Sequence, residues 1–389
     1  MRVLQINVVY AQGSTGHIVE TLHEEYLKEG IDSYVLFGRG PKQAGKRVIR
    51  CSYLWEAKLW RFIALFTGNI YGGVPFSTLH IKHLIKKLKP DVVHLHCING
   101  NMVNIYSLMN WLKKKGIKTV LTHHAEFMFT GGCGFTMCDK WKSHCEHCPH
   151  KQEIFGKISR DRSASNWSRY QKAFDGFSCL TNAYVSPWLQ DQAKLSPILH
   201  NQKGAVVLNP VDTSVFNAKA SASLPESLVD KDYVLLPISK FAEANKGTNF
   251  ISPLAERLKV HGMVLAVAGA PQNQHFETKN IVNLGVIASP HVMASLYRHA
   301  KCTVLISKVE SFSMPVAESV SCGTPVAGFQ AGGPESLGLS PLAVFVPQGS
   351  VSNLVDTIIA FKGAGSFCDQ GKCFDPQTVS QNYLSLFLR

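Results

Sequence analysis

The sequence predicts an α/β protein made of two doubly wound domains. Short apolar runs rich in β-branched residues alternate with helix-like stretches through both halves of the chain, the pattern of parallel sheets with helical crossovers. Each half opens on such a run, at residues 3–9 and again at Tyr233-Val-Leu-Leu-Pro-Ile. The 389 residues also exceed what one hydrophobic core ordinarily serves.

In chain order, residues 3–9 read as the first strand. The glycine-containing turn Ala11-Gln-Gly-Ser-Thr-Gly16 and a helix to about Lys28 follow. Residues 31–37 give the next strand. Residues 53–66 form a basic, aromatic-rich helix, either packed in the N-terminal domain or lying on a bilayer with Trp55, Trp60, Phe62 and Phe66 inserted. Lys89-Pro-Asp-Val-Val-His-Leu-His96 reads as a helix end, a proline and a buried strand, and 117–122 as another strand ending in His123-His124. A cysteine-rich insertion covers 131–150. A helix over 161–174 and strands over 176–180 and 205–208 complete the first half, and 212–230 read as a linker. The second half alternates strands at 263–268, 281–284, 302–307, 325–329 and 343–346 with helices near 248–259, 291–299, 315–322 and 351–361.

The chemistry concentrates on Glu310-Ser-Phe-Ser-Met-Pro-Val-Ala-Glu318. A buried strand precedes it, Pro315 suits a first helical turn, and Gly323 suits the residue past a short helix. A second apolar run then leads into Ala331-Gly-Gly-Pro-Glu335. This is a βαβ unit whose loops gather at the carboxyl ends of the strands, where open α/β sheets bind ligands. A carboxylate accepts two hydrogen bonds side by side and so suits a vicinal diol such as ribose or a hexose. The two glutamates alone equally describe a surface acid and a helix-N-terminal acid stabilised by the dipole.

With its flanks, the segment closely resembles the E-x7-E signature of retaining GT-B glycosyltransferases of family 4, and the resemblance extends over nearly the whole chain. It implies two Rossmann-like domains facing an interdomain cleft: an acceptor-side domain over 1–211, a nucleotide-sugar domain over 212–375, and a 376–389 segment returning to the first. It implies that Glu318 binds the nucleotide ribose and Glu310 faces the donor sugar, with Ser313 and Met314 beside them. Lys246 and Gly247 correspond to the family's phosphate-binding loop. Lys240 fills a position where the family commonly has arginine, at one residue greater separation. Amides near Gly332 and Gly333 are expected to add donors to the phosphates. The Gly13-Ser14-Thr-Gly16 loop resembles the family's N-terminal loop at the cleft. Counting back from Cys133 puts His124, not His123, at the family's histidine beside the reacting carbon. The acid that normally follows that histidine is missing, and Glu126 comes one place too late to replace it. His96 and Asn99, after the preceding strand, are expected on the acceptor side.

Cys133-x4-Cys138-x6-Cys145-x2-Cys148, with His144, His147 and His150 interleaved, has a spacing that a tetrahedral zinc site can use. Disulfides are the alternative, but they do not suit the cytoplasm. Four thiolates leave no open position, so a structural zinc is expected and no catalytic metal. The surrounding sequence, Phe129-Thr-Gly-Gly-Cys133 through Cys148-Pro149, resembles a subgroup of these transferases that builds colanic acid, O-antigen and other surface polysaccharides.

Composition bounds the rest. Hydrophobic residues make up 45% and charged residues 17%, with a formal net charge of +13, so the chain reads as globular. No stretch has the ~18 uninterrupted apolar residues of a membrane span, and the N-terminus lacks a signal-peptide pattern, so a cytoplasmic protein is expected. Lysine clusters at 82–89 and 113–115 describe either solvated helix faces or contacts to anionic partners: nucleotide diphosphates, anionic lipid headgroups or nucleic acid. A basic cysteine-knuckle nucleic-acid binder would leave the E-x7-E unit and the two α/β halves unexplained. A nucleotide-dependent oxidoreductase would need a G-x-G-x-x-G after the first strand, which is absent. The reading is therefore a glycosyltransferase using a nucleotide-diphosphate sugar and a lipid-linked glycan acceptor, peripherally bound at the inner face of the plasma membrane, with no nucleic acid as partner.

Overall fold

The computed structural model describes residues 1–41, 46–136, 138–361 and 370–389. The chain divides into two compact units, Met1–Leu208 with Val379–Arg389, and Asn209–Thr378. The division after Leu208 falls slightly before the boundary expected at 211.

The first unit contains β1 (Arg2–Val9), α1 (Gly13–Lys28), β2 (Asp32–Arg39), β3 (Val48–Arg50), α2 (Leu54–Thr67), α3 (Pro75–Leu88), β4 (Val92–Leu95) and α4 (Ile105–Lys115). It continues with β5 (Thr119–His123), α5 (Lys151–Phe155), α6 (Ser163–Phe174), β6 (Leu180–Tyr184), α7 (Pro187–Lys194) and β7 (Gly204–Val206). The seven strands pair in the order β3-β2-β1-β4-β5-β6-β7, all parallel. Val3, Leu4 and Ile6 on β1 and Val93 and Leu95 on β4 are fully buried, which is why these strands are continuous apolar runs rather than alternating ones.

The second unit contains β8 (Tyr233–Pro237), α8 (Ile251–Lys259), β9 (Val264–Ala268), β10 (Ile281–Gly285), α9 (Pro290–His299), β11 (Cys302–Leu305), α10 (Met314–Ser321), β12 (Val326–Phe329), β13 (Ala343–Val346) and α11 (Val351–Ala360). Its six strands pair in the order β10-β9-β8-β11-β12-β13. Leu254, Leu258, Val267, Val304 and Leu354 share one core between this sheet and its helices. The last helix, α12 (Pro376–Leu388), packs on the first unit. Its Tyr383 hydroxyl lies 3.0 Å from Thr122 Oγ1 on β5, and Lys118 Nζ donates to the Phe387 carbonyl at 2.9 Å.

One expected strand is displaced. Residues 176–179 form a turn, with Gly176 at φ +64°, and the strand begins at Leu180. Phe177 and Leu180 are both buried, so core packing alone produced an apolar signal that resembles a strand.

Both sheets reverse their strand order beside the first strand of the unit, between β1 and β4 and between β8 and β11. Such a switch point opens a crevice at the carboxyl ends of the strands. The loop after β1 leads into Gly13, Ser14 and Gly16 in the first turn of α1, and the loops after β4 and β5 carry His96, Asn99 and His124. Those after β8, β11 and β12 carry Lys240, Lys246, Gly247, Glu310, Gly332 and Gly333.

Candidate active site

In the second unit the β8–α8 loop and the loop after β11 meet through one ion pair. Lys246 Nζ lies 2.7 Å from Glu310 Oε1, with the side chains only 13% and 19% exposed. Gly247 makes this approach possible. Its φ is +68°, and a Cβ there would collide with the Ile306 carbonyl, so glycine is required on both counts. An ammonium has three donors, so the contact to Glu310 leaves two for another anion.

The backbone of Glu310 is fixed as well. Its N–H donates to the Ala331 carbonyl at 2.8 Å and its carbonyl accepts from Gly333 N–H at 2.9 Å, forming a parallel bridge to the glycine pair. A Cβ on Gly333 would strike the Ser311 carbonyl. The expected role of these glycines needs correction here. Gly332 N–H donates to Glu335 Oε1 at 2.7 Å and Gly333 N–H to Glu310, so both amides are engaged internally. The glycines hold the Glu310 loop in place instead of offering donors to a phosphate. Glu335 carried no signal beyond its proximity to the glycines.

Glu318 lies one turn into α10, with Oε2 accepting the Tyr297 hydroxyl at 2.9 Å. Ser313 precedes that helix with φ +76°, a conformation costly for a non-glycine residue and concentrated at functional sites. Its hydroxyl is buried and has no hydrogen-bond partner among the described residues. Met314 is half-buried at the helix start. Lys240 differs from Lys246. Its side chain is 73% exposed and pairs with Glu243 at 3.0 Å in the same loop. The structure therefore does not bring it to the Lys246–Glu310 pair.

In the first unit the histidines form a network. His124 Nε2 lies 3.1 Å from His96 Nδ1, and His96 Nε2 lies 3.2 Å from Gln5 Oε1 on β1. The His94 ring lies tilted against that of His96, with centroids 4.0 Å apart, and its Nε2 lies 2.8 Å from Thr122 Oγ1. Burial and the neighbouring His123 hold the pKa of His124 down to about 3, so it is neutral at pH 7 and acts as a hydrogen-bonding group, not as an imidazolium acid. His96 is 1% exposed. This overturns its expected acceptor contact, since a side chain so enclosed between Gln5, His94 and His124 supports His124 from behind. His123 is likewise structural. Its Nε2 lies 2.8 Å from Asn182 Oδ1 on β6 and its ring stacks on Tyr184.

Asn99 is half-buried, while Gly13 and Ser14 are exposed at the start of α1 and Gly16 is buried against Val9. Asn7 was not apparent from the sequence. Its amide donates to the Val9 and Thr15 carbonyls at 2.8 and 3.2 Å and accepts from Cys97 N–H at 3.0 Å, so it ties together the loops after β1 and β4. Glu126 opens a short turn after His124. It is buried, and burial raises its pKa to about 7. Its N–H donates to the Gly134 carbonyl, which ties it to the cysteine-rich segment.

Two family models match the chain. The one described as Glycosyltransferase Family 4 matches residues 15–215, more than half of the chain, and the one described as Glycosyl transferases group 1 matches residues 232–361. The chain belongs to glycosyltransferase family 4. This family 4 enzyme is 22% identical over 343 residues to WcaC of Escherichia coli K12, a glycosyl transferase named for colanic acid biosynthesis, covering 84% of this chain and 82% of that one. Among solved structures, sucrose-phosphate synthase from Thermosynechococcus elongatus superposes with a TM-score of 0.69 at 14% identity, over 100% of this chain and 98% of that one. WaaG, a glycosyltransferase involved in lipopolysaccharide biosynthesis, gives 0.60 at 12% identity, over 98% and 93%. The structural likenesses identify the fold as GT-B. The family 4 enzyme is thus a glycosyltransferase of the hexosyltransferase type with two Rossmann-like domains.

Proposed function

We propose that the enzyme transfers a sugar, with retention of anomeric configuration, from a nucleotide-diphosphate sugar to a growing bacterial surface polysaccharide carried on a polyprenyl diphosphate lipid. The Lys246–Glu310 pair at the β8/β11 switch point is the observation that carries this reading. It sets a cation with spare donors and a carboxylate side by side, a few residues from a helix N-terminus. A leaving diphosphate needs the first and the third, and a sugar's hydroxyls need the second. Lys246 stabilises the departing phosphate, Glu310 holds the sugar, and Glu318, oriented by Tyr297, takes the ribose diol. Neutral His124, backed by His96, orients the transferring sugar. The relatives named for colanic acid and lipopolysaccharide synthesis favour a polysaccharide acceptor.

The nucleotide half of the proposal is tested by titrating UDP and GDP into the wild type and Glu318→Ala by calorimetry. Loss of a charge-assisted hydrogen bond is expected to weaken binding by roughly 1.5–3 kcal/mol. Equal affinity in a folded variant contradicts the role given to Glu318.

A lipid-linked acceptor requires the enzyme to reach a membrane, and we place it at the cytoplasmic face of the plasma membrane. Among the described residues no helix is long and apolar enough to cross a bilayer. The surface of α2 supports peripheral contact. Only Glu56, Ala57 and Ala64 of this helix are buried, while Trp55, Leu59, Phe62, Leu65 and Phe66 are exposed, and Phe62 reaches 59%. Trp60 is half-buried over Gly73, so it is removed from the residues expected to insert. Lys58 and Arg61 are exposed on the same helix, and Lys86 and Lys87 are exposed on α3. Each basic residue near an anionic surface contributes about 1 kcal/mol. Flotation with liposomes containing anionic lipid is expected to recover the protein at low salt, and Phe62→Ser/Phe66→Ser to reduce the fraction that survives high salt. A protein that ignores anionic liposomes at low salt points to a soluble acceptor.

A further inference from the structure

The cysteine-rich segment contributes no group to the sites above, yet it is the densest cluster of ligating side chains in the chain. Cys133, Cys138, Cys145 and Cys148 all line one enclosed void of about 10 Å³, room for roughly one water-sized atom. The rest of its wall mixes apolar residues, Trp141, Pro149 and Ile154, with polar ones, Lys140, Glu146 and Ser163. Cys133 and Cys145 are buried and none of the four is in a disulfide. The packing is tight at this point, since a Cβ on Gly131 would approach Cys145 Cβ within 2.7 Å. Little regular structure holds the segment. Between β5 and α6 it has two 3-10 turns, Glu126–Met128 and Lys140–Lys142, and the five-residue α5. Among the described residues no three His, Cys, Asp or Glu side chains already converge as a metal-holding group, so closure requires the thiols to turn onto the void.

We propose that Cys133, Cys138, Cys145 and Cys148 bind one zinc ion and thereby fasten the 131–150 insertion to the first unit. As each zinc–sulfur bond forms, the thiol releases its proton to solvent and nothing is oxidised or reduced. Four thiolates complete a tetrahedral shell and leave no position for substrate, so the ion is structural.

The test is metal analysis of the full chain purified without added zinc. About one equivalent of zinc is expected, retained in Cys179→Ser and lost in Cys145→Ser/Cys148→Ser. Because the double variant can misfold, cobalt(II) uptake by demetallated wild type provides a second readout. Intense thiolate-to-cobalt charge-transfer absorption at one equivalent supports the site. Wild type that is metal-free as purified, takes up no cobalt and shows all four thiols reactive in the native state overturns it. Disulfides among these four cysteines overturn it equally.

Discussion

Lys246→Ala is expected to lower the rate of sugar transfer by about 10²–10³-fold, the usual effect of removing one donor aimed at developing charge. The protein should remain folded, because the pair lies at the mouth of the sheet and outside its core cluster. Two losses combine in this variant. The leaving phosphate has no ammonium, and Glu310 has no partner to fix the carboxylate that faces the sugar. Glu310→Gln should therefore be damaging by itself, and the double variant should be little worse than the poorer single one, since the two side chains act as one unit. Lys240→Ala serves as the control. That lysine is exposed and bonded only within its own loop, and exposed pairs contribute little, so transfer should change by no more than a few-fold. Full activity in Lys246→Ala, or a larger effect from Lys240→Ala, removes the phosphate role from Lys246.

The second large effect separates two adjacent histidines. His124→Ala should retain binding of the nucleoside diphosphate and lose most transfer. His123→Ala should lose stability instead, by about 1–3 kcal/mol, because Asn182 is left with an unmatched buried amide oxygen. Acid sharpens the contrast. Burial lowers the His123 pKa to about 4 and that of His124 to about 3, against about 6.5 in the unfolded chain. Below that value the unfolded chain binds protons that the native state refuses. Stability is thus complete above about pH 6.5 and falls as the pH drops toward 4. Melting temperatures between pH 7 and 4.5 should fall more gently in His123→Ala than in the wild type. If His123→Ala is the catalytically dead, stable variant and His124→Ala is active, the assignment of the two histidines is reversed.

Much of this arrangement was legible in residue order. Parallel strands buried on both faces are written as unbroken apolar runs, so β12 was placed within one residue of its observed limits, and the E-x7-E unit with its flanks fell on a strand, a loop and a helix as read. The glutamates, Lys246 and His124 lie where strand ends and glycine turns put them. What could not be read depends on partners distant in sequence. His96 follows its strand as an accessible ligand would, yet Gln5, 91 residues away, and His124 enclose it. Gly332 and Gly333 look like phosphate donors until Glu335 and the Glu310 carbonyl take up their amides. Lys240 and Lys246 differ by burial, which spacing does not encode. The helix at 54–67 illustrates the opposite case, since its periodicity fits either a packed or an exposed apolar face, and only the folded neighbours show that its aromatic side is exposed.

The central claim is that this chain spends a nucleotide-diphosphate sugar. The most direct measurement is release of nucleoside diphosphate when purified wild-type protein, with a lipid-linked glycan extract as acceptor, is offered UDP- and GDP-sugars in turn. The account predicts acceptor-dependent release of UDP or GDP from at least one donor, abolished in Lys246→Ala. No release from any donor, by a protein that also fails to bind UDP and GDP in calorimetry, would contradict it.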